Sequence, residues 1–387
     1  MSAPTKKQVL FVIDSLGCGG AEKSLTALLQ RLDYTRMDVD LAIAIHGGVN
    51  TSAVPPQVRV IGFLPGGWKN AVGRYANALA LRIMRLCGKK RHGAEIAWHT
   101  RAWTFGRMRK RYDVAIAYQQ GVPTFFVATK VDARRKYAWI NVDLTPAGYS
   151  PGMCRKFYDR YDGVAVVSEM LRKPVMNGGF AAADRLMTIY DIVDSEAIRA
   201  AAAEGTPPAA VAPGTLRIVT VGRMTPQKNY PLAVRAAAIL KEKGLKFVWH
   251  FVGDGIARDH VQTLIHDLGL QDCIRLEGMR PNPYPFFAAA DIYVQTSSFE
   301  GFGLTLTEAR LLGRPVITTD FAVARDQIRD GINGLISDMT PEGVAEKILI
   351  LASDSALRGA IASCAAAEVN HTARTESRKV NTLICAD

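Results

Sequence analysis

The sequence predicts an α/β fold with two Rossmann-like, doubly wound parallel-sheet domains that face each other across a cleft. Short apolar runs alternate with longer amphipathic segments almost throughout, which is typical of βαβ units. A linker rich in proline and glycine, "AEGTPPAAVAPG" (203–214), interrupts this series, and a second βα series begins after it. The length of 387 residues and 48% hydrophobic content suit two domains with separate cores.

The first βα unit is the strand 8–13, a glycine-rich turn and a helix over about 21–32. Further strands of the first domain are predicted at 39–45, 58–61, 113–117, 137–140, 163–167 and 186–189. In the second domain we predict strands at 216–221, 246–252, 273–277, 292–296 and 315–319. Helices are predicted there at 231–244, 305–312, 323–329, 341–353 and 355–368. A further helix is predicted after the strand 246–252 and ends at about residue 268.

Several classes of protein are disfavoured by composition. No run of 18 apolar residues occurs, so no transmembrane helix is expected, and Asp14 ends the N-terminal apolar run too early for a signal peptide. The six cysteines lack metal-like or redox-like spacing, and the seven histidines form no HExxH motif. We therefore expect that the protein holds no metal and no cofactor and that its compartment is the reducing cytoplasm.

The positive charge is local. Residues 1–205 hold 29 Lys and Arg against 17 Asp and Glu, whereas residues 206–387 hold 19 of each. Within 69–111, 12 basic residues accompany one acid, Glu95, and Trp98 and Trp103 lie among them. Cations with interfacial tryptophans favour an anionic membrane surface. A solvated basic face over core helices is the alternative, and no nucleic-acid-binding module accompanies the charge.

Ligands bind beyond the carboxyl ends of strands in open α/β sheets, so the loops after strands carry the candidate chemistry. "LGCGGAEKS" (16–24) places Gly19 and Gly20 at a helix start, either for an anion or as a tight turn. In "VGRMTPQKN" (221–229), Arg223 and Lys228 precede a helix, as two cations at a diphosphate site or on a solvated surface.

The remaining loops lie in the second domain. "FVGDG" (251–255) is a weak glycine signal, and the prolines after "LEGMR" (276–280) stiffen a loop that presents backbone to a planar group or is a structural turn. In "SSFEGFGLTLTEA" (297–309), Thr305 and Glu308 fit a helix capping box. Capping does not explain Glu300 or the Gly-Phe-Gly break, and a carboxylate beside bare backbone suits sugar hydroxyls.

These motifs in this order resemble the retaining glycosyltransferases of family 4, which have the GT-B fold. The similarity runs through nearly the whole chain, including "YDGVAVVSEML" (161–171) and "DGINGLIS" (330–337), and is most specific at 216–340. It implies transfer of a sugar, without metal, from a nucleotide diphosphate sugar to a glycan or lipid-linked acceptor in cell-surface polysaccharide synthesis. A UDP-sugar donor and a peripheral location on the cytoplasmic face of the plasma membrane are favoured by the family.

The resemblance also assigns residues. Arg223 and Lys228 would hold the donor diphosphate, and Glu300 with the backbone of Gly301, Phe302, Gly303 and Leu304 would hold the sugar. Glu308 would bind the ribose, Met279 and Arg280 the base, and Gly253 the donor in the same domain. Gly19 and Gly20 would face the phosphates or the acceptor. It implies an acceptor-binding domain at 1–205, a nucleotide-sugar domain at 206–370, and a tail at 371–387 that packs back on the first domain.

One position departs from the family. A histidine is common in the "AWIHxD" region near the transferred sugar, but this chain has "AWINVDL" (138–144), with Asn141 in that place. Asparagine takes no proton near neutral pH, so a non-catalytic sugar-nucleotide or glycan-binding homologue remains an alternative, as does a nucleotide-sugar epimerase. Asp143 is either a polar contact or a loop cap. A metal-binding DxD motif at Asp38 and Asp40 is disfavoured because these residues open a strand, and the start of a strand is the wrong end for the cleft.

Overall fold

The structure is a computed structural model, and it describes residues 6–17, 19–45, 47–64, 67–86, 91–368 and 372–386. The chain divides into two compact units, Met1–Ile192 with Ala373–Asp387, and Val193–Thr372. Each is built on one parallel sheet with helices, which confirms the α/β class predicted from alternating apolar runs.

The first unit has a seven-stranded sheet in the order β3-β2-β1-β4-β5-β6-β7. Its strands are β1 Lys7–Ile13, β2 Met37–Ile43, β3 Val58–Gly62, β4 Tyr112–Ala117, β5 Ala133–Ile140, β6 Gly163–Val166 and β7 Leu186–Thr188. Its helices are α1 Gly20–Leu29, α2 Gly67–Leu86, α3 Gly93–Arg101, α4 Val122–Lys130, α5 Pro151–Tyr158 and α6 Glu169–Asn177. β1 and β4 are fully buried over 9–12 and 114–117, so they form the centre of the core.

The second unit has a six-stranded parallel sheet in the order β10-β9-β8-β11-β12-β13. Its strands are β8 Leu216–Val221, β9 Phe247–Val252, β10 Ile274–Gly278, β11 Ile292–Gln295, β12 Val316–Thr319 and β13 Leu335–Ser337. Its helices are α7 Ser195–Glu204, α8 Tyr230–Glu242, α9 Arg258–Asp267, α10 Tyr284–Ala289, α11 Leu304–Leu311, α12 Pro341–Ser353 and α13 Ser355–Glu368. Trp249 and Phe251 of β9 are buried in the core of this unit.

Both sheets reverse their strand order once, between β1 and β4 and between β8 and β11. At such a switch point the loops after the two strands run to opposite faces of the sheet and leave a crevice for a ligand. Candidate binding residues are therefore expected after β1 and β4 in the first unit, and after β8 and β11 in the second.

The boundary between the units lies at 192/193, whereas the sequence places it in the linker at 205/206. α7, which precedes the linker, packs on α10 and α11, and the carbonyl oxygen of Ala201 accepts a hydrogen bond of 2.6 Å from Asn282 Nδ2. The Pro/Gly-rich stretch is thus a loop inside the second unit.

The last helix, α14 (Thr372–Cys385), belongs to the first unit, and residues 369–371, where the predicted tail begins, lie outside the described residues. Asn381 of α14 donates to the carbonyl oxygen of Arg31 at 3.1 Å and accepts from the backbone N–H of Asp33 at 3.1 Å.

Two elements of the second unit differ from the prediction. The helix predicted at 323–329 is wrong, since this stretch holds only a short 3-10 turn, Ala324–Asp326, and strand β13 was not predicted.

Candidate functional site

Two loops of the second unit meet at its switch point. The loop after β8 covers 222–229 and the loop after β11 covers 296–303. The backbone N–H of Ser298 donates to the carbonyl oxygen of Gln227 at 2.8 Å, and Thr296 Oγ1 donates to that of Lys228 at 3.1 Å. These bonds hold the two loops together before any ligand is present.

The side chains of Lys228 and Glu300 form an ion pair between these loops. The Nζ atom of Lys228 lies 2.6 Å from Oε1 of Glu300, and the side chains are 18% and 9% exposed. A charge-assisted bond of this length in a shielded place is strong. The sequence predicted both residues for one site, and the structure brings them into direct contact.

Three further side chains donate to the Glu300 carboxylate. Oε1 accepts from Ser297 Oγ at 2.7 Å and from Gln295 Nε2 at 3.2 Å, and Oε2 accepts from Gln227 Nε2 at 3.1 Å. The carboxylate is therefore held in position even without Lys228. Sequence reasoning missed these three residues, because a polar residue near a strand end has no distinctive pattern.

Gln295 is itself oriented by its neighbours. Its Oε1 accepts hydrogen bonds from Tyr293 OH at 3.0 Å and from Thr305 Oγ1 at 2.8 Å. Because both donors occupy the amide oxygen, the amide nitrogen turns to Glu300. Thr305 therefore supports the buried network instead of capping α11.

The capping-box interpretation of Thr305 and Glu308 is wrong. α11 begins at Leu304 with Gly303 as its N-cap, and no side chain caps it. Glu308 lies in the second turn, is buried, and accepts a hydrogen bond of 3.0 Å from Tyr284 OH. Its carboxylate is thus free of the capping role that the sequence suggested.

The Gly-Phe-Gly break is shaped by a glutamine that the sequence did not reveal. Gln327 Nε2 donates to the carbonyl oxygen of Phe302 at 2.5 Å and to that of Gly303 at 3.4 Å, and its Oε1 accepts from Thr307 Oγ1 at 2.7 Å. Gly303 has φ of 87°, which favours glycine. The N–H groups of Leu304 and Thr305, at the start of α11, lack intrahelical acceptors, whereas that of Leu306 donates to the carbonyl oxygen of Gly303 at 2.9 Å.

Arg223 lies at the start of the loop after β8. It is exposed, and its guanidinium has no hydrogen-bond or ion-pair partner among the described residues. Lys228 is neutralised by Glu300, so Arg223 contributes the uncompensated positive charge of this loop.

The glycines of "GDG" have a packing role. A Cβ on Gly253 would overlap the carbonyl oxygen of Gly222, and one on Gly255 would overlap that of Met224. The backbone N–H of Met224 also donates to the carbonyl oxygen of Asp254 at 2.9 Å. Bare backbone at these positions lets the loop after β9 support the loop that carries Arg223 and Lys228.

Met279 and Arg280 follow β10 and are both exposed. Arg280 pairs with Glu277 at 2.9 Å and lies 5.7 Å from the ring centroid of Phe286. Burial raises the pKa of the Glu277 carboxyl, but hydrogen bonds from His250 and Arg280 outweigh it and leave the pKa below its usual value. The guanidinium is thus held beside an aromatic ring at the end of the strand.

The candidate residues of the first unit lie after β1 and β5. Gly20 opens α1, and the carboxylate of Glu22 occupies the space where a Cβ on Gly19 would lie, while Gly19 itself has ordinary extended backbone with φ of -78°. Asn141 donates from Nδ2 to the carbonyl oxygen of Tyr118 at 2.8 Å. Asp143 Oδ1 accepts from the backbone N–H of Thr145 at 3.1 Å, the geometry of the loop-cap alternative.

The basic segment carries an exposed apolar stripe on α2. Val72, Tyr75, Leu79 and Ile83 recur at helical spacing and are between 46% and 74% exposed, and Arg74 and Arg82 are exposed on the same helix. Trp103 is also exposed, but Trp98 is buried against Phe105 and Phe125, so its expected interfacial role is wrong. Residues 87–90 and the side chains at 69, 70, 81 and 84–86 lie outside the described part of this segment.

Two features of the described residues concern metals and membranes. Within them, no group of three His, Cys, Asp or Glu side chains could hold a metal ion. Asp40, the second aspartate of the DxD motif, pairs with Arg59 at 2.7 Å and Lys110 at 3.0 Å. Within the same residues no single helix is long and apolar enough to span a membrane. One pair of helices, Pro341–Ser353 and Ser355–Ala367, would together be long and apolar enough, by length and composition only, but the pair is bent by 102°.

Comparison with solved structures identifies the architecture. A crystal structure of Anabaena HepE in complex with UDP and glucose aligns with a TM-score of 0.72 over 98% of this chain and 99% of that chain, at 19% identity. The fold is GT-B. At this identity the likeness shows the fold alone, and it confirms the fold class predicted from the sequence.

A family model matches most of the second unit, and curated relatives match about a third of the chain. Residues 208–367 match the family model described as "Glycosyl transferases group 1". A lipopolysaccharide core biosynthesis glycosyltransferase, LpsE of Rhizobium meliloti, is 34% identical over 146 residues, which is 38% of this chain and 42% of that protein. A Campylobacter jejuni enzyme named as a diphospho-undecaprenol 4-alpha-N-acetylgalactosaminyltransferase is 35% identical over 126 residues, 32% of this chain and 34% of that protein.

The chain therefore spans less than half the length of these curated relatives. Residues 208–367 are thus similar to group 1 glycosyl transferases, and the named relatives are glycosyltransferases, the enzyme class expected from the sequence. The matched segment contains the Lys228–Glu300 pair, the two switch-point loops of the second unit and Glu308.

Proposed function

We propose that this GT-B protein is a retaining glycosyltransferase of family 4. It moves a sugar from a nucleotide diphosphate sugar, a UDP-sugar, to a glycan or lipid-linked acceptor in cell-surface polysaccharide synthesis, without a metal. The observation that carries the proposal is the Lys228–Glu300 pair, at 2.6 Å, between the two loops of the switch point.

The two cations of the first loop supply the chemistry that a diphosphate leaving group needs. Negative charge grows on the diphosphate as the glycosidic bond breaks, and fixed cations stabilise that charge in a shielded site. Arg223 has no competing acidic partner among the described residues, and Lys228 has three donors, so it can contact phosphate and Glu300 together. Two cations in one loop, of which Lys228 is held by Glu300, support a mechanism that needs no metal.

Glu300 is suited to the transferred sugar. Its carboxylate is paired with Lys228 and held by Ser297, Gln295 and Gln227, so it accepts hydrogen bonds from sugar hydroxyls without reorganising. The free N–H groups at the start of α11 add donors next to it. A leaving phosphate oxygen then takes the proton of the acceptor hydroxyl as the new glycosidic bond forms on the same face.

The nucleoside would lie between Glu308 and the loop after β10. Tyr284 OH holds Oε1 of Glu308 for the ribose hydroxyls, while Met279 and Arg280 present an exposed edge to the base. A uracil base is favoured because the structural relative HepE binds UDP.

The acceptor would be held by the first unit at a lipid surface. The exposed stripe on α2 and the cations around it suit an anionic membrane, and each such cation contributes about 1 kcal/mol near the surface. The name of the Campylobacter relative includes a diphospho-undecaprenol, a lipid-linked acceptor. This supports a peripheral location on the cytoplasmic face of the plasma membrane.

A non-catalytic sugar-nucleotide or glycan-binding role is the second candidate. It is favoured by Asn141, whose amide nitrogen is engaged by the carbonyl oxygen of Tyr118 and which supplies no proton to a reaction. Turnover separates the two candidates, because a binding protein would take up UDP and release no product.

The deciding experiment is a thermal-shift titration with UDP, GDP and UDP-glucose in the presence of EDTA, on the wild type and on Arg223→Ala/Lys228→Ala. We expect UDP to stabilise the wild type and not the variant. If none of the nucleotides shifts the melting temperature of the wild type, the proposed donor site is contradicted. UDP release from UDP-sugars with membrane lipid extract, and the anomeric configuration of the product by NMR, then test transfer and retention.

A further inference from the structure

The two oxygens of the Glu300 carboxylate meet different numbers of donors. Oε1 accepts hydrogen bonds from Lys228 Nζ at 2.6 Å, Ser297 Oγ at 2.7 Å and Gln295 Nε2 at 3.2 Å. Among the described residues, Oε2 accepts only from Gln227 Nε2, at 3.1 Å. A carboxylate has about four acceptor sites, two on each oxygen, so Oε1 is saturated and Oε2 keeps one site for a ligand.

The amide of Gln227 has a fixed orientation beside this carboxylate. Gln227 lies in a 3-10 turn, Pro226–Lys228, and its backbone carbonyl oxygen accepts from the N–H of Ser298 at 2.8 Å. Its Nε2 donates to the carbonyl oxygen of Phe299 at 2.9 Å as well as to Glu300. Both partners are acceptors, so the nitrogen end of the amide faces them and the oxygen end is left for another partner.

The amide oxygen of Gln227 is a second open acceptor. No donor in the described part of the chain reaches Oε1 of Gln227, and this atom is not shut off from solvent. Because Nε2 of the same amide contacts Glu300, the bond lengths of an amide place this oxygen within about 5.5 Å of Oε2 of Glu300. The site thus offers two neighbouring acceptors on two side chains that are already held in position.

A vicinal diol is the ligand that complements these two acceptors. A hydroxyl donates a single proton, so two acceptors require two hydroxyls. Hydroxyl oxygens on neighbouring ring carbons are separated by about the length of one hydrogen bond, and each can turn its proton to a different acceptor at this spacing. A cationic donor fits less well, because the ammonium group of Lys228 already lies on the same carboxylate.

We propose that Gln227 is a specificity-determining residue, and that its Oε1 together with Oε2 of Glu300 selects a donor sugar with two adjacent free hydroxyl groups. This inference rests on the proposed function, in which Glu300 binds the transferred sugar. A sugar that is deoxygenated, methylated or acylated at either position lacks one donor and leaves one of these acceptors unpaired in the complex, so it is rejected.

Calorimetric titration of the full chain with UDP-sugars and their monodeoxy analogues tests this selection. The parent sugar is whichever of UDP-glucose, UDP-galactose and UDP-N-acetylglucosamine binds most tightly, and each analogue lacks one of its ring hydroxyls. In the wild type we expect two adjacent positions to matter. Loss of the hydroxyl at Glu300 should weaken binding about 10- to 100-fold, and loss of the hydroxyl at Gln227 about five- to tenfold.

Gln227→Leu keeps the size of the side chain but offers no acceptor. We expect it to bind the parent sugar about five- to tenfold more weakly and to become indifferent, within about twofold, to removal of one of the two hydroxyls. The other hydroxyl keeps its effect, because Lys228, Ser297 and Gln295 still hold Glu300. Gln262→Leu, at an exposed glutamine of α9, is the matched control and retains both sensitivities.

A purely structural role of Gln227 would weaken the parent and every analogue by the same factor, and that result would overturn the proposal. Sensitivity to no pair of adjacent hydroxyls in the wild type, or a sugar that adds nothing to the affinity of UDP, would overturn it as well. A melting curve checks that each variant is folded. UDP alone is titrated into the same samples. UDP binding that depends on Lys228, without hydroxyl selectivity, rejects the role of Gln227 alone, whereas no binding of UDP by the wild type rejects the proposed function.

Discussion

Lys228 Nζ lies 2.6 Å from Oε1 of Glu300, and the two residues come from different loops, one after β8 and one after β11. The pair bridges the two loops at the switch point of the second sheet, and in the proposed function it joins the cation for the leaving group to the carboxylate for the sugar. Because Ser297, Gln295 and Gln227 also donate to Glu300, either function can be changed without collapse of the other.

Loss of the Lys228 charge should slow transfer strongly. Lys228→Ala removes a charge-assisted contact in a shielded site, which contributes roughly 2–4 kcal/mol to transition-state stabilisation. We expect kcat/KM for the UDP-sugar to fall by about 30- to 1,000-fold. Lys243→Ala, an exposed lysine of the same unit, serves as the control, and activity within about twofold of wild type in Lys228→Ala would refute the assigned role.

The role of Glu308 is tested by the ligand as well as by the protein. If Glu308 accepts from the ribose hydroxyls, the wild type binds UDP more tightly than 2′-deoxy-UDP by about 1.5–3 kcal/mol, the value of a hydrogen bond to a charged group. Glu308→Gln should reduce that preference, measured by calorimetry with both nucleotides. Tyr284→Phe keeps the carboxylate but loses the 3.0 Å bond that orients it, so an intermediate preference is expected. Undiminished discrimination in Glu308→Gln would place the ribose elsewhere.

Gly253 should be intolerant of any side chain. Gly253→Ala forces a Cβ against the carbonyl oxygen of Gly222 at a φ of 148°, and we expect a loss of at least about 2 kcal/mol in the free energy of unfolding. Gly359→Ala in α13 has no atom within 4 Å of the new Cβ, so about 0.5–1 kcal/mol of stabilisation is expected there. Denaturant unfolding of both variants measures the contrast, and equal stabilities would contradict the packing role.

The Asp191 carboxyl should make stability depend on pH. Burial raises its pKa to about 7 in the fold, against roughly 3.9 in the unfolded chain, so the folded state holds the extra proton between these values. Its contribution to the free energy of unfolding is therefore present at pH 4 and is lost as pH rises through about 7. Asp191→Asn lacks this dependence, so its free energy of unfolding relative to wild type should rise by on the order of 3 kcal/mol from pH 4.5 to pH 8.

Urea unfolding at the two pH values measures this gain. Asp184→Asn, at an exposed position, should show the same difference from wild type at both. A gain for Asp191→Asn that does not change with pH would show that Asp191 is ionised in the fold throughout this range.

The apolar stripe of α2 should carry membrane binding together with the cations. Tyr75→Ser/Ile83→Ser removes two exposed apolar side chains, each of which contributes about 1.5–3 kcal/mol when fully buried in lipid. We expect flotation with phosphatidylglycerol vesicles at low salt to fall more than about tenfold, and to fall in the wild type at high salt. Ile256→Ser, at a residue 87% exposed in the other unit, is the control, and full binding by the double variant would refute the surface.

Much of the architecture follows from local patterns. Apolar runs such as 216–221 predicted buried strands because a parallel strand is covered on both faces, and Gly303 marked a backbone turn that needs positive φ. The sequence also placed Lys228 and Glu300 in loops after strands, where residue type and position are legible without knowing the neighbours.

The unit boundary and the environment of each side chain depended on contacts distant in sequence. α7 joined the second unit because Ala201 meets Asn282 some 80 residues later, and Thr305 turned to Gln295 instead of capping its helix. Gln327, which holds the Gly-Phe-Gly loop, and Asp191, which is buried after β7, carry no local signal. The sequence by itself indicated most of the strands and helices, although it missed β13, and it showed which polar residues follow the strands. Only tertiary packing decided which carboxylates are neutralised and which are left open for a ligand, because burial and partner charge arise from residues that meet only in the folded chain.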